Sequence, residues 1–274
     1  MAVHILNLIE NTEGSEGLIC AHGLSFYVRT GHHKLLCDLG PSEDTVTNAL
    51  RLGVDLEAVD TVILSHGHYD HSGGIMPFAK INTAAPIYMQ RMAVGDFYSD
   101  RGGEMRYIGI DKDIAGLPQT VFVDGDLRID DELSLFVIGR REEEIPPENL
   151  RLKQKVGDGF IQDDFRHEQF LVINDGGKRI LMSGCAHNGI LNILREFDRK
   201  YGGCPDIAVS GFHLKKKEPF TDEEIRGIKD MAARLSQYPT RFYTCHCTGE
   251  EAYAIMKDIM GDRLSYVRCG MEIS

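Results

Sequence analysis

The sequence predicts an α/β fold, and three observations predict it. Short apolar runs of strand-like composition alternate with capped, amphipathic helical stretches along the 274 residues. Strand, loop and helix recur in the same order in the first and second halves of the chain. Several strands end in loops that carry histidine, and in α/β sheets the carboxyl ends of strands are where ligands gather.

The elements follow in order. His4 to Glu10 alternates and reads as a strand, followed by a polar, glycine-containing loop from Asn11 to Gly17. Leu24 to Arg29 and Lys34 to Cys37 form a hairpin around Thr30-Gly31-His32-His33, which Asp38-Leu39-Gly40 ends. Ser42 to Leu52 is a helix with Ser42 as cap, Val46, Ala49 and Leu50 as apolar stripe and Gly53 as stop. Thr61-Val62-Ile63-Leu64 is a buried strand, and a short helix is expected from about Ser72 to Lys80. Pro86 to Met89 is a further strand. From Arg91 to about Gly116 the pattern weakens to a polar, glycine-containing stretch, in which Arg101 and Arg106 are candidates to meet an anionic substrate.

Thr120 to Val123, Leu127 to Ile129 and Leu133 to Ile138 read as antiparallel strands, with turns at Asp124-Gly125 and Asp130-Asp131. Arg140 to Asp164 is charged, contains Pro146-Pro147, and is too long for a tight connection; it reads as a loop over a site or a mobile insertion. Gln169 to Ile173 and Arg179 to Met182 form a hairpin that runs into Ser183-Gly184-Cys185-Ala186-His187. Ile190, Ile193, Leu194 and Phe197 mark a helix. Asp206 to Val209 is a buried strand ending in Ser210-Gly211-Phe212-His213-Leu214. Thr221 to Gln237 is a helix with a capping box between Thr221 and Glu224. Arg241 to Thr244 leads to Cys245-His246-Cys247-Thr248, where Thr248 and Glu251 predict a second capping box. Leu264 to Arg268 is the last strand.

Between the strand at 61–64 and the next helix lies Ser65-His66-Gly67-His68-Tyr69-Asp70-His71-Ser72-Gly73-Gly74. Gly67 loosens the backbone between two histidines, so that His66 and His68 can face one metal ion. Asp70 and His71 can face a second. Imidazole with carboxylate suits zinc, manganese or iron. His187, His213 and His246 stand at equivalent strand ends later in the chain.

This run resembles the HxHxDH signature of the metallo-β-lactamase superfamily. The resemblance implies a four-layer αββα sandwich in a single domain, residues 1–274. Its two αβ halves would fall at approximately 1–125 and 126–274, with an insertion near 140–165. It implies that Asp38 supports the metal loop from behind its ligands, and that His246 completes the second site with Asp70 and His71. Two departures stand out. Cys185 occupies the place where many members have a bridging aspartate; a thiolate there could ligate zinc, or His187 could take over the coordination. No histidine occurs in the region Val137-Ile138-Gly139-Arg140 where the third ligand of the first metal usually lies, and the surroundings of His167 do not match that motif. The first metal would then rest on His66, His68 and His187, and one site could be weak or empty.

Together, His66 to Gly74, Gly184-Cys185-Ala186-His187, Gly211-Phe212-His213-Leu214 and His246-Cys247-Thr248-Gly249-Glu250 resemble the 7,8-dihydropterin-6-methyl-4-(β-D-ribofuranosyl)-aminobenzene-5′-phosphate synthase-like subfamily. That resemblance implies that His213 lies in a substrate pocket and that the helix start at Thr248 receives a phosphate.

Composition narrows the function classes. The formal net charge of −12 disfavours general nucleic-acid binding, although a local basic patch could hold a small anion. No apolar run is long enough to span a bilayer, and Met1-Ala2-Val3-His4 lacks the basic start of a secretion signal. The seven scattered cysteines suit a reducing cytoplasm. The expected function is hydrolysis of a small anionic molecule with one or two divalent ions, zinc first and manganese, iron or magnesium after it. Asp70 would orient the attacking water. A synthase-type transferase and a non-catalytic metal- or ligand-binding protein are the alternatives.

Overall fold

Two mixed β-sheets face each other across an apolar core, and each carries helices on its outer side. The computed structural model describes residues 3–273; Met1 and Ala2, part of the stretch read as lacking a secretion signal, lie outside the described residues. The first sheet has the order Glu272–Ile273, His4–Ile9, Ser25–Arg29, Lys34–Cys37, Thr61–Ile63, Ile87–Gln90, Thr120–Val123. The second runs Leu264–Tyr266, Arg241–Thr244, Ile207–Val209, Lys178–Met182, Phe170–Asp175, Leu133–Phe136, Leu127–Arg128.

Side chains alternate across each strand, so every second residue of both sheets points inward. Phe26, Val28, Leu35 and Ile63 of the first sheet share one buried cluster with Leu135, Leu171, Ile173 and Val209 of the second. On the outer face of the first sheet, Leu36, Val62 and Ile87 pack with Ala49 of the helix Asp44–Arg51 and with Ile75 and Phe78 of the helix Ile75–Ala79. On the outer face of the second, Leu181, Ala208 and Phe242 meet Ile193 and Phe197 of Ile190–Tyr201, Ile228 and Ala232 of Asp222–Leu235, and Met256 of Glu250–Met260. The result is the four-layer αββα sandwich.

Parallel pairing sets where the site can form. Lys34–Cys37 runs parallel to Thr61–Ile63, and Lys178–Met182, Ile207–Val209 and Arg241–Thr244 run parallel to one another. Their carboxyl ends, and the loops that follow, therefore line one edge of the sandwich. The capping box of Thr221 and Glu224 is formed, an arrangement worth about 1 kcal/mol to a helix.

Several expectations are corrected. Thr120–Val123 does not pair antiparallel with the strands after it; it lies parallel to Ile87–Gln90 at the edge of the first sheet. The chain changes sheets between Val123 and Leu127, and a local hairpin pattern cannot show such a crossing. The helix expected from Ser72 to Lys80 is two short ones, Tyr69–Ser72 and Ile75–Ala79, divided at Gly73-Gly74. Leu50 is 62% exposed, and Thr45 and Asn48 take the inner face beside Ala49. The weak stretch after Arg91 and the presumed loop at 140–164 hold four strands that pair with each other: Gly159–Gln162, Leu152–Val156, Phe97–Asp100 and Met105–Tyr107. These strands are short and largely exposed, so they leave little hydrophobic alternation to read.

The second capping box is absent. Gly249, at φ +75°, precedes Glu250–Met260, and no side chain caps that helix. Thr248 instead closes a tight turn at His246–Thr248.

Candidate metal centre

Asp38 is the buried anchor of the site. It takes a left-handed backbone conformation at φ 58° and turns its carboxylate toward the histidine loop. Oδ1 accepts the Ser65 N–H at 2.7 Å, and Oδ2 accepts the Ser65 hydroxyl at 2.7 Å. His71 Nδ1–H donates to the same Oδ2 at 2.6 Å. Because the Ser65 hydroxyl donates to Asp38, its oxygen accepts the Nδ1–H of His66 at 2.8 Å. One carboxylate thus fixes the tautomer of two rings and turns both Nε2 lone pairs outward.

The remaining rings follow the same plan. His187 Nδ1–H donates to Asn149 Oδ1 at 2.8 Å, while Asn149 Nδ2 donates back to the His187 carbonyl at 2.7 Å. The ring stacks on Phe165 with centroids 4.9 Å apart. His246 Nδ1–H donates to Asn11 Oδ1 at 2.7 Å. The free nitrogens converge: His187 Nε2 lies 3.3 Å from His66 Nε2, and His246 Nε2 lies 3.4 Å from Asp70 Oδ2. That Asp70 oxygen is also 3.8 Å from His71 Nε2, and Cys185 Sγ is 3.2 Å from the same nitrogen.

Two adjoining pockets result. Ligand atoms of His66, His68 and His187 lie within 4.8 Å of one another and form an all-imidazole set. Asp70, His71, Cys185 and His246 form a mixed set beside it. His68 Nε2 and His246 Nε2 are buried without a hydrogen-bond partner, a costly state for a polar atom. A divalent cation would satisfy both atoms, so the donor set fits a metal centre.

The electrostatics agree with that fit in the all-imidazole set, whereas His71 and, through burial, Cys185 of the mixed set hold a proton that an ion would have to displace. Burial, followed by the neighbouring imidazoles, holds His66 and His187 well below the ordinary histidine range. Burial, with His167 beside it, brings His68 down to about 3. These rings are neutral at pH 7, as metal ligands must be. Burial opposes a charge on His71 too, but Asp38 and Asp70 carry it up to about 9. Burial would raise Asp70, yet His71, His246 and His22 outweigh it and hold the carboxylate ionised. At Cys247 burial is likewise outweighed, by the hydrogen bond with Cys185 and the nearby His246 and His213, so this thiol falls well below its usual range.

Between Cys185 and His187 the structure makes no choice: Cys185 lies within ligand reach of His187 and His213 on one side and of His66 and His71 on the other. His167 is no third ligand, since both of its nitrogens are engaged. Its Nδ1 accepts the Gly67 N–H at 3.0 Å, and Nε2–H donates to Asp163 at 3.0 Å. Gly67 has a spatial rather than a flexible reason: a Cβ there would come within 2.5 Å of the Ala93 carbonyl oxygen.

A cavity of about 280 Å³ opens over the two pockets, lined in part by Asp70, His68, His187, His213 and His246. The His213 ring lies 4.3 Å from that of His187, and its nitrogens are buried and unpartnered. Arg101 reaches the wall, together with Arg151, Lys215, Lys216 and Lys217. Arg106 is exposed on Met105–Tyr107 and is not among the lining residues. Thr248 is fully buried: its N–H goes to the Cys245 carbonyl, and its hydroxyl oxygen accepts the Phe212 N–H. It offers nothing to a phosphate, and the helix after it starts with Glu250 and Glu251, whose charge would repel one.

Several participants leave little or no local signal in the sequence. His22 Nε2 lies 3.4 Å from Asp70, and nothing in its local sequence signals that. Asn11, Asn149 and Cys247 are brought in by distant loops. The run Lys215-Lys216-Lys217, separated from His213 by Leu214 alone, is the one readable signal.

Residues 19–208 match the family described as the metallo-beta-lactamase superfamily. The chain belongs to that superfamily. Within it, the chain is 29% identical over 250 residues to an uncharacterized protein of Methanocaldococcus jannaschii, covering 89% of this chain and 90% of that one. It is 25% identical over 257 residues to the 7,8-dihydropterin-6-methyl-4-(β-D-ribofuranosyl)-aminobenzene-5′-phosphate synthase of the same organism, covering 84% of this chain and 82% of the synthase. The crystal structure of Tm1679, a metal-dependent hydrolase of the β-lactamase superfamily, superposes with a TM-score of 0.82 at 27% identity, covering 100% and 99% of the two chains. YhfI from Bacillus subtilis shares the fold, with a TM-score of 0.59 at 14% identity and 100% of both chains covered. Among the described residues, no helix is long and apolar enough to cross a membrane.

Proposed function

We propose that this protein is a metal-dependent hydrolase of a small anionic molecule, with a phosphate or ester as the reacting group. One observation carries the reading: imidazole Nε2 atoms, a carboxylate and a thiol converge on adjoining pockets, and the rings of His66, His71, His187 and His246 are each held through Nδ1. His66, His68 and His187 would hold one ion; Asp70, His71, Cys185 and His246 would hold the other. Zinc suits this donor set first; manganese, iron or magnesium are the other ions to try. When bound, the ions supply Lewis acidity toward a phosphoryl or carbonyl oxygen and ease the deprotonation of water.

The chain's own residues do the rest. Asp38 keeps His66 and His71 in the ligating tautomer. Asp70 orients the attacking water. His213 has free ring nitrogens at the cavity wall for a hydrogen bond to substrate, and Arg101, Lys215 and Lys217 attract its negative charge. In a chain of net charge −12 this cationic wall favours a small anion over nucleic acid. The seven cysteines are all free thiols, which suits the cytoplasm.

The test is metal content together with turnover on a panel of phosphoesters, thioesters and lactones. The wild-type protein should carry two ions and hydrolyse one of these classes. His68→Ala should lose an ion and at least roughly 100-fold in turnover. Full activity in that variant, or a wild-type protein that takes up no metal, would sink the reading.

Transfer is the second reading, favoured by the synthase relative. In that case a dihydropterin diphosphate incubated with an aminobenzene riboside phosphate gives a coupled product and no product of hydrolysis alone.

A further inference from the structure

The mixed pocket contains a second sulfur. Cys247 is buried next to His246, and ligand atoms of Cys185, His246 and Cys247 lie within 4.8 Å of one another. His246 has Nδ1 engaged with Asn11, so it meets this group through Nε2, the buried nitrogen with no hydrogen-bond partner. Two features seat the sulfur. The His213 N–H donates to Cys247 Sγ at 3.3 Å. Residue 211 is glycine where a Cβ would collide with that sulfur.

The two cysteines come from loops 62 positions apart at different strand ends, and without an ion the Cys247 S–H donates to the Cys185 carbonyl at 3.6 Å. Simple burial of a small apolar residue would explain one cysteine. It does not explain two thiols closing on an orphaned imidazole nitrogen beside a carboxylate.

We propose that Cys247 is a metal ligand, and that with Cys185 and His246 it makes the mixed pocket a two-thiolate site. This deepens the reading of the chain as a metal-dependent protein and rests on it. Soft thiolates select zinc over magnesium or manganese, whereas an all-imidazole set also accepts other divalent transition ions. The two pockets therefore differ in metal preference: the pocket of His66, His68 and His187 is permissive, and the pocket of Cys185 and Cys247 is specific for soft ions.

The experiment uses the full chain, reduced, stripped with chelator and reloaded with cobalt(II). Thiolate ligation gives an intense near-ultraviolet charge-transfer band that imidazole and carboxylate do not. Cys185→Ser and Cys247→Ser should each lose about half of that band, and the double variant all of it. A Cys247→Ser protein that binds the same cobalt and keeps the whole band overturns the proposal. X-ray absorption on zinc-loaded wild type needs no variant to fold. Two ions sharing two sulfurs give an average of one Zn–S contact per zinc at about 2.3 Å; an average of one half overturns Cys247 as a ligand. Two bound ions with too little sulfur defeat this inference alone, whereas no bound ion defeats the metal-dependent reading beneath it.

Discussion

His66, His68, Asp70 and His71 all leave one strand of the first sheet, while Cys185, His187, His213 and His246 leave three strands of the second. The two groups are also held differently. The first-sheet loop hangs on a single buried carboxylate, since Asp38 reaches His71 directly and His66 through Ser65. The second-sheet residues are held one at a time by long-range partners: His187 by Asn149, His246 by Asn11. One half therefore concentrates its control in one residue, and the other distributes it. Damage to the first half should spread over both pockets, and damage to the second should stay local.

Asp38→Asn tests the concentrated half and should have the largest effect. The amide keeps one acceptor for the Ser65 N–H, but it cannot accept from both the Ser65 hydroxyl and His71 Nδ1–H. His66 and His71 then lose their fixed tautomer together. Metal affinity should fall roughly 100-fold at both pockets, the upper end for residues that orient ligands. Competition against a chelator, followed ion by ion, measures it. A loss confined to one pocket would show that Asp38 is not the shared anchor.

Asn149→Ala tests the distributed half. It frees one ring, so affinity should fall roughly 10-fold in the pocket of His66, His68 and His187 and stay unchanged in the pocket of Asp70, His71 and Cys185. The same titration reads it. Equal weakening of the two pockets would break the comparison, because it would mean that the second-half loops move as one body.

The same contrast explains what was legible. The first-half ligands form a contiguous motif after an apolar strand, and the sequence shows both. The role of Asp38, at the end of the neighbouring strand, was readable through the family resemblance. The second half was readable only as single histidines at strand ends, and their supports were not. Asn149 sits in the stretch after Pro146-Pro147 that reads as a loop, and its role appears only when Leu152–Val156 pairs with Phe97–Asp100. Cys247 has only Cys245 near it in the sequence, and its neighbour in space, Cys185, is on another strand. Thr248 failed for the opposite reason: a good local capping pattern lost to a tertiary contact, its hydroxyl being taken by the Phe212 N–H.

The smallest effect separates substrate from metal. Lys215 is an exposed lysine on the cavity wall, in the second-sheet loop that follows His213. Its neighbour Lys216 is already paired with Glu224 at 2.6 Å, so Lys215 has more charge to offer an anion. It is solvated, and a contact of this kind is worth about 1 kcal/mol at most, or roughly fivefold. Lys215→Ala should therefore raise KM about fivefold at low salt and leave metal content and kcat unchanged. Salt sharpens the test: at 1 M the screening length is about 3 Å, so wild type and variant should converge there. A drop in kcat, or a difference that survives high salt, would place Lys215 in the reacting centre rather than on the approach to it. The division between the side chains that hold the metal and the loop that attracts the anion would then have to be redrawn.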